Sequence, residues 1–117
     1  DKGKGNGDIK SLQDVYYNTG LAIYSVAFEA ARLAVEKSGE PLTAAAMKDG
    51  LESIKNYDAN GLFAPVTVTE DDHGGGGKTR IEMWDGEKWV PQTDWIGAYN
   101  DIVWEVVKES SKSFKTE

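Results

Sequence analysis

The 117-residue sequence contains no cysteine, which excludes a disulfide framework, a zinc–thiolate site and a cysteine nucleophile. No apolar run reaches the roughly 18 residues of a membrane span, so the sequence predicts no transmembrane helix. Cations are scarce, because 13 Lys and Arg stand against 20 Asp and Glu for a net charge of −7. This balance argues against binding to nucleic acid or to an anionic membrane surface. The length suits one modest domain.

The N-terminal residues 1–10 are almost entirely Gly, Lys, Asn and Asp. A segment of this composition buries little apolar surface, so we predict a flexible arm followed by one domain over residues 11–117. The arm also lacks the apolar stretch of a signal peptide. We therefore expect either a cytosolic protein or a leader that lies outside this sequence.

Two helices are predicted in the N-terminal half. Residues 21–37 place apolar side chains on two faces and end at Ser38-Gly39, a typical helix stop. One face consists of Tyr24, Ala27, Phe28, Ala31 and Val35, and the second of Leu21, Val26, Ala30, Leu33 and Ala34. A helix that is apolar on two sides needs packing partners on two sides. The second helix is predicted to follow Thr43 as its N-cap and to end near residues 55–56.

Short strands and a third helix are predicted in the C-terminal half. Residues 66–69 alternate like a strand, and the segments on either side of Asp85-Gly86-Glu87 predict a β-hairpin. Residues 70–78, with four consecutive glycines, predict a flexible linker, and a helix is predicted to open at residues 93–95. The fold class is therefore α/β, in the order helix, helix, strand, hairpin, helix. It has too little sheet to cover the first helix, which indicates part of a larger core.

No enzyme, metal site or cofactor is predicted. His73 is the only imidazole, and it lies in an acidic, glycine-rich loop, whereas catalysis needs rigidly held groups. An exposed or turn-forming histidine is the favoured interpretation. The glycine run before Lys78 and Thr79 is similar to a phosphate-binding loop, but those two residues are predicted to open a strand and not a helix.

Residues 58–61 are similar to the opening of a calcium loop. An EF-hand needs a glutamate six positions after its glycine, and Thr67 stands there instead. A turn is therefore the favoured interpretation of this segment.

Tyr16, Tyr17 and Asn18 are the candidate ligand-binding residues. Two phenols and an amide precede a long apolar helix, where side chains that orient a small ligand are often found. From the residues alone, the favoured interpretation is a pair of half-buried tyrosines at a helix entrance.

Six segments have a distinctive order between Tyr16 and Trp104. They are YYNTG at 16–20, VAFEAARLA at 26–34, GEPLT at 39–43, GLFAPVTVT at 61–69, DHG at 72–74 and WDGEKWVP at 84–91. Together they resemble the C-terminal third of a type I periplasmic solute-binding protein, in the group of branched-chain amino acid and aromatic-compound receptors of ABC transporters. Members of this family are much longer, and the glycine run is richer than their usual loop.

The resemblance implies a C-terminal fragment of a two-lobed periplasmic-binding-protein fold. It implies an extracytoplasmic receptor subunit that captures an amino acid or small aromatic acid by lobe closure and delivers it to an ABC permease. The location implied is the periplasm, with the leader outside this chain. The family's aromatic ligand contact carries over to Tyr17 or Tyr16. A core cut in this way predicts that the fragment self-associates.

Two other functions remain open from the sequence. One is a small, self-contained α+β protein-interaction domain that binds a partner through its tryptophan-rich hairpin. The other, more weakly indicated, is a metal- or phosphate-dependent enzyme built on residues 70–79.

Overall fold

The computed structural model describes Asp8 and residues 14–114. The predicted flexible arm over residues 1–10 thus lies outside the described residues, apart from Asp8. The chain forms two compact units, Asp1–Gly75 and Gly76–Glu117. The elements described are α1 (Val15–Ser38), α2 (Ala44–Leu51), β1 (Lys78–Thr79), β2 (Glu82–Trp84), β3 (Trp89–Pro91), β4 (Ile96–Gly97) and α3 (Asn100–Ser111). Membership of a two-lobed fold stays a prediction.

Helix α1 begins earlier than the sequence predicts. Asp14 caps it, because its Oδ1 accepts a hydrogen bond from the Tyr16 backbone N–H at 2.8 Å. Tyr16, Tyr17 and Asn18 therefore lie inside the first turn and not ahead of the helix. Asp14 is the sequence signal that marks this start, because an aspartate is a preferred N-cap. The helix ends as predicted at Gly39, whose φ is 73° and whose N–H donates to the Val35 carbonyl.

Helix α2 packs closely against α1. Its predicted N-cap is confirmed, since Thr43 Oγ1 accepts from the Ala46 N–H at 3.1 Å. The helix stops at Leu51, several residues before the predicted end. Gly50 allows the close approach, because a Cβ at this position would lie 2.2 Å from the Ala30 carbonyl oxygen.

The core of the first unit is small. Ala30, Ile54 and Val68 are buried at its centre. The partly buried side chains packed around them are Val26, Leu33, Met47, Leu51, Tyr57 and Val66. Ile54 is the one large side chain among the described residues that is fully buried. No helix within the described residues is long and apolar enough to cross a membrane.

The predicted strand at residues 66–69 is wrong. The segment forms a single antiparallel bridge, between Tyr57 and Val66. Asn56 has a positive φ of 49°, and its N–H donates to Thr67 Oγ1 at 3.0 Å and not to a backbone carbonyl. The Val68 N–H donates to the Ile54 carbonyl at 3.0 Å, so the backbone pairing leaves regular register beyond the bridge and no strand forms.

The second unit contains two small antiparallel sheets. β2 pairs with β3 around residues 85–87, which confirms the predicted hairpin. β1 pairs with β4, so Ile96 lies in a strand and not in the third helix as predicted. Helix α3 begins only at Asn100, after Tyr99 in a left-handed conformation with φ 60°.

Candidate interaction surface

The predicted ligand-binding residues are consecutive on the first turn of α1, and all three are exposed. Successive helical residues point about 100° apart, so Tyr16, Tyr17 and Asn18 face different directions. Tyr16 is 82% exposed and Tyr17 is 43% exposed. Tyr17 belongs to a larger surface along the helix, whereas Tyr16 and Asn18 do not. A ligand-binding role for the three stays a prediction.

The larger surface is an apolar stripe along α1, here called the outer stripe. It consists of Tyr17, Leu21, Tyr24, Phe28, Ala31 and Val35, at alternating spacings of four and three residues. At about 100° per residue, it points away from Ala30 and Ala34, which are fully buried. All of its large side chains are exposed, with Phe28 at 72%. The sequence indicated two apolar faces, and within the described residues α2 covers the one that contains Ala30 and Ala34. Leu21, which the sequence analysis assigned to that face, lies on the outer stripe and is 43% exposed.

A charged cluster borders the outer stripe. Arg32 donates two hydrogen bonds to Glu29, each of 2.8 Å, and one to Glu36 of 2.9 Å. The hydrogen bond from Arg32 lowers the pKa of the Glu29 carboxyl. The pairing with Glu29 also raises the pKa of Arg32. These charged side chains form a solvent-exposed, polar side of α1 next to the outer stripe.

His73 is held by an ion-pair cluster in the first unit. Its Nε2 lies 2.8 Å from Glu52 Oε1, and Lys48 Nζ contacts the same carboxylate at 2.7 Å. The Glu52 side chain is 15% exposed and that of His73 is 53% exposed. The hydrogen bond from Lys48, and to a smaller extent the one from His73, lowers the pKa of Glu52. The contact joins the glycine-rich loop to the end of α2, and it offers His73 no nucleophile to activate.

The start of the glycine-rich segment is a hydrogen-bonded turn, while the flexibility predicted for residues 70–78 stays a prediction. Asp72 Oδ1 accepts from the Gly74 N–H at 2.8 Å and from the Gly75 N–H at 3.1 Å. The backbones of Thr69 and Asp72 also bond to each other in both directions. Asp72 thus accepts hydrogen bonds from backbone N–H groups of the glycine run. An aspartate just before glycines is typical of a turn, and the glycine content of the segment alone does not reveal it.

The calcium-like segment is a turn as well. Asp58 Oδ1 accepts from the Asn60 N–H at 3.0 Å, and Ala59, Asn60 and Gly61 all have positive φ. Among the described residues, no group of three or more His, Asp or Glu side chains could hold a metal ion.

The hairpin carries an open groove of about 460 Å³. It is lined by Lys78, Thr79, Arg80, Glu82, Trp89 and Trp95. The Arg80 guanidinium lies 4.5 Å from the Trp95 ring centroid and pairs with Glu82. Since Lys78 and Thr79 form a strand, they do not adopt the strand-to-helix geometry of a phosphate loop.

Comparison with known proteins gives one informative match. A crystal structure described as an ABC transporter permease from the Pseudomonas fluorescens group is similar to this chain, with a TM-score of 0.72 and 35% sequence identity. The match covers 92% of this chain and 28% of that protein, so the chain spans little more than a quarter of its length. No protein-family model matches the sequence, and a search of curated proteins found no match.

This match corrects the identification made from the sequence. The resemblance to type I periplasmic solute-binding proteins, and the receptor function that it implied, are contradicted, because the similar structure is described as a permease. The context of an ABC transporter is retained. The tryptophan-hairpin alternative gains no support from the comparison, since the matched region is a small part of a longer chain.

Proposed function

We propose that this chain is a segment of a longer ABC transporter protein and acts within that transporter by packing against its other parts. The observation that carries the proposal is the likeness to the protein described as an ABC transporter permease, at 35% identity over 92% of this chain. At this level of identity the likeness supports a shared role and not the fold alone.

The surface of the chain supports a packing role over a chemical one. The outer stripe of α1 is both apolar and exposed, and α3 has no buried residue. The one imidazole is engaged by Glu52. We therefore assign this segment no catalytic step of its own.

The test is the composition of the native assembly. The tagged gene product is purified from its own host in mild detergent, and its partners are identified by mass spectrometry. We expect an ATP-hydrolysing subunit of an ABC transporter in stoichiometric amount. A purified gene product that lacks such a subunit, while another complex with the same tag retains its known partners, would contradict the proposal.

A matched pair of variants ties the association to this segment. Gly50→Val places side-chain atoms where the Ala30 carbonyl lies, so it disrupts the α1–α2 pair and should reduce recovery of the ATP-hydrolysing subunit. Gly20→Ala adds a methyl group that meets no atom within 4 Å apart from its two neighbours and the surrounding backbone of α1, and recovery should not change.

A further inference from the structure

We infer that the outer stripe of α1 is an internal interface, which an apolar face of the remaining polypeptide covers in the longer protein. This inference rests on the proposed function only in assuming a longer chain, and it names what covers the stripe. The occupant is an apolar face of the same protein, supplied by residues outside this sequence.

The first argument is the spacing of the stripe. Alternating steps of four and three residues keep side chains on one line along a helix, as in the seam between packed helices. The line runs from Tyr17 to Val35, which is about 27 Å at 1.5 Å per residue. A seam of this length, with two tyrosines and a phenylalanine, is typical of a packing surface and unusual for a helix side that faces water.

The second argument is the size of the core. Ala30, Ala34, Ala46, Ile54 and Val68 make up the buried apolar residues of the described chain. Four of these five are Ala or Val, so they bury little area. Such a core gains little from the hydrophobic effect, which scales with the apolar area removed from water. Covering Leu21, Tyr24 and Phe28 would supply much of the missing burial.

The third argument identifies the occupant. The similar structure preserves this fold over 92% of the chain, yet the match takes up 28% of that protein. In that protein the equivalent of α1 therefore belongs to a chain in which more than two thirds of the residues lie outside the matched region and are available to cover it. A second copy of this chain would fill the stripe only where those residues are missing.

Thiol labelling tests the inference directly, because the chain contains no cysteine of its own. Phe28→Cys reports on the stripe, and Glu36→Cys is the matched control, since Phe28 is 72% exposed and the Glu36 side chain 67% exposed. Tyr24→Cys provides a second stripe position in case one variant fails to fold. Maleimide modification is followed by peptide-resolved mass spectrometry, so other cysteines of the longer protein do not interfere.

We expect the two thiols to react at rates within about threefold in the dilute 117-residue chain. In the full gene product, we expect the stripe thiol to react at least about tenfold more slowly than the control, because a buried thiol reacts only during local opening. Denaturation should remove the difference.

Three results would overturn the inference. Equal rates in the full gene product would show an uncovered stripe, and a gene product with no further residues would leave nothing to cover it. Protection that disappears on dilution, or on separation from other subunits, would assign the stripe to a second copy or to a partner. A gene product with no further residues would also contradict the proposed function, whereas a missing ATP-hydrolysing subunit contradicts the proposed function alone, whatever the labelling shows.

Discussion

At the scale of single residues, Gly50 decides how closely the two helices of the first unit approach. A Cβ at this position would lie 2.2 Å from the Ala30 carbonyl oxygen and 2.9 Å from Ala34 Cβ. Gly50→Ala should therefore lower the free energy of unfolding by about 3 kcal/mol, the upper part of the usual range for overpacking. Urea denaturation followed by circular dichroism measures the change.

The matched control is Gly20→Ala, also within a helix. Apart from its two neighbours and the surrounding backbone of α1, no atom lies within 4 Å of the added methyl group, so the substitution should raise the free energy of unfolding by about 0.5–1 kcal/mol through helix propensity. Equal effects of the two alanines would show that the helices do not pack as described.

Glu52 links stability to pH through its contacts with Lys48 and His73. Its pKa is lowered from the ordinary 4.5 in the folded state. A lowered carboxyl pKa stabilises the fold above the unfolded-state value, and this stabilisation is lost as the pH falls through the folded-state pKa. We expect the melting temperature to fall below about pH 4.5, and to fall less steeply in Glu52→Gln.

Melting curves between pH 3 and 7 measure this dependence. Glu87→Gln is the control, because within the described residues the Glu87 side chain makes no ion pair or hydrogen bond. Its acid profile should match that of the unmodified chain. A Glu52→Gln profile that also matches would assign the acid sensitivity to other carboxyls.

At the scale of elements, the hairpin depends on a pair of tryptophans across its two strands. Trp84 and Trp89 face each other in register, with ring centroids 5.5 Å apart at an angle of 63°. Edge-to-face aromatic pairs contribute about 0.5–1.5 kcal/mol beyond the area that they bury. We expect a coupling energy of this size in a double-mutant cycle of Trp84→Ala and Trp89→Ala.

Far-UV circular dichroism during urea unfolding gives the four stabilities of the cycle. Met83→Ala combined with Trp89→Ala serves as a reference, because adjacent strand residues point to opposite faces. Additive effects of the two tryptophan substitutions would contradict the contact.

At the scale of the whole molecule, the outer stripe and the net charge oppose each other. Exposed apolar surface favours association of the isolated 117-residue chain, whereas a net charge of −7 repels a second copy. Salt screens that repulsion, with a Debye length of about 10 Å at 0.1 M. We therefore expect self-association at roughly tens of micromolar, and this association should strengthen as NaCl is raised.

Sedimentation equilibrium measures this association. Phe28→Asp should abolish it, whereas Asn18→Asp adds the same charge on another side of α1 and should leave it intact. A monomer at all protein and salt concentrations would contradict the predicted self-association. A monomeric isolated chain would not bear on the covered interface of the longer protein, which the thiol-labelling experiment tests.

The sequence by itself determined the features that depend on neighbouring residues. Helical periodicity predicted the body of α1, Thr43 predicted a cap, and Asp85-Gly86 predicted the hairpin, because each is set by local geometry and hydrogen bonding. The two apolar faces of α1 were also predictable from spacing. The resemblance gave the ABC transporter context but the wrong component. Short sequence segments did not distinguish the solute-binding protein of an ABC transporter from its permease.

Only the tertiary structure decided which contacts the pattern would make. A strand at residues 66–69 requires continuous backbone pairing with residues 54–57, and the positive φ of Asn56 interrupts that pairing. Ile96 joined β4 and not a helix, because Lys78 and Thr79 lay within pairing distance. Periodicity shows that a helix face is apolar, but it does not show whether that face is covered. In this chain Ala30 is buried and Phe28 is exposed, and the difference depends on elements distant in sequence. Burial is a property of the packed chain, and no local pattern contains it.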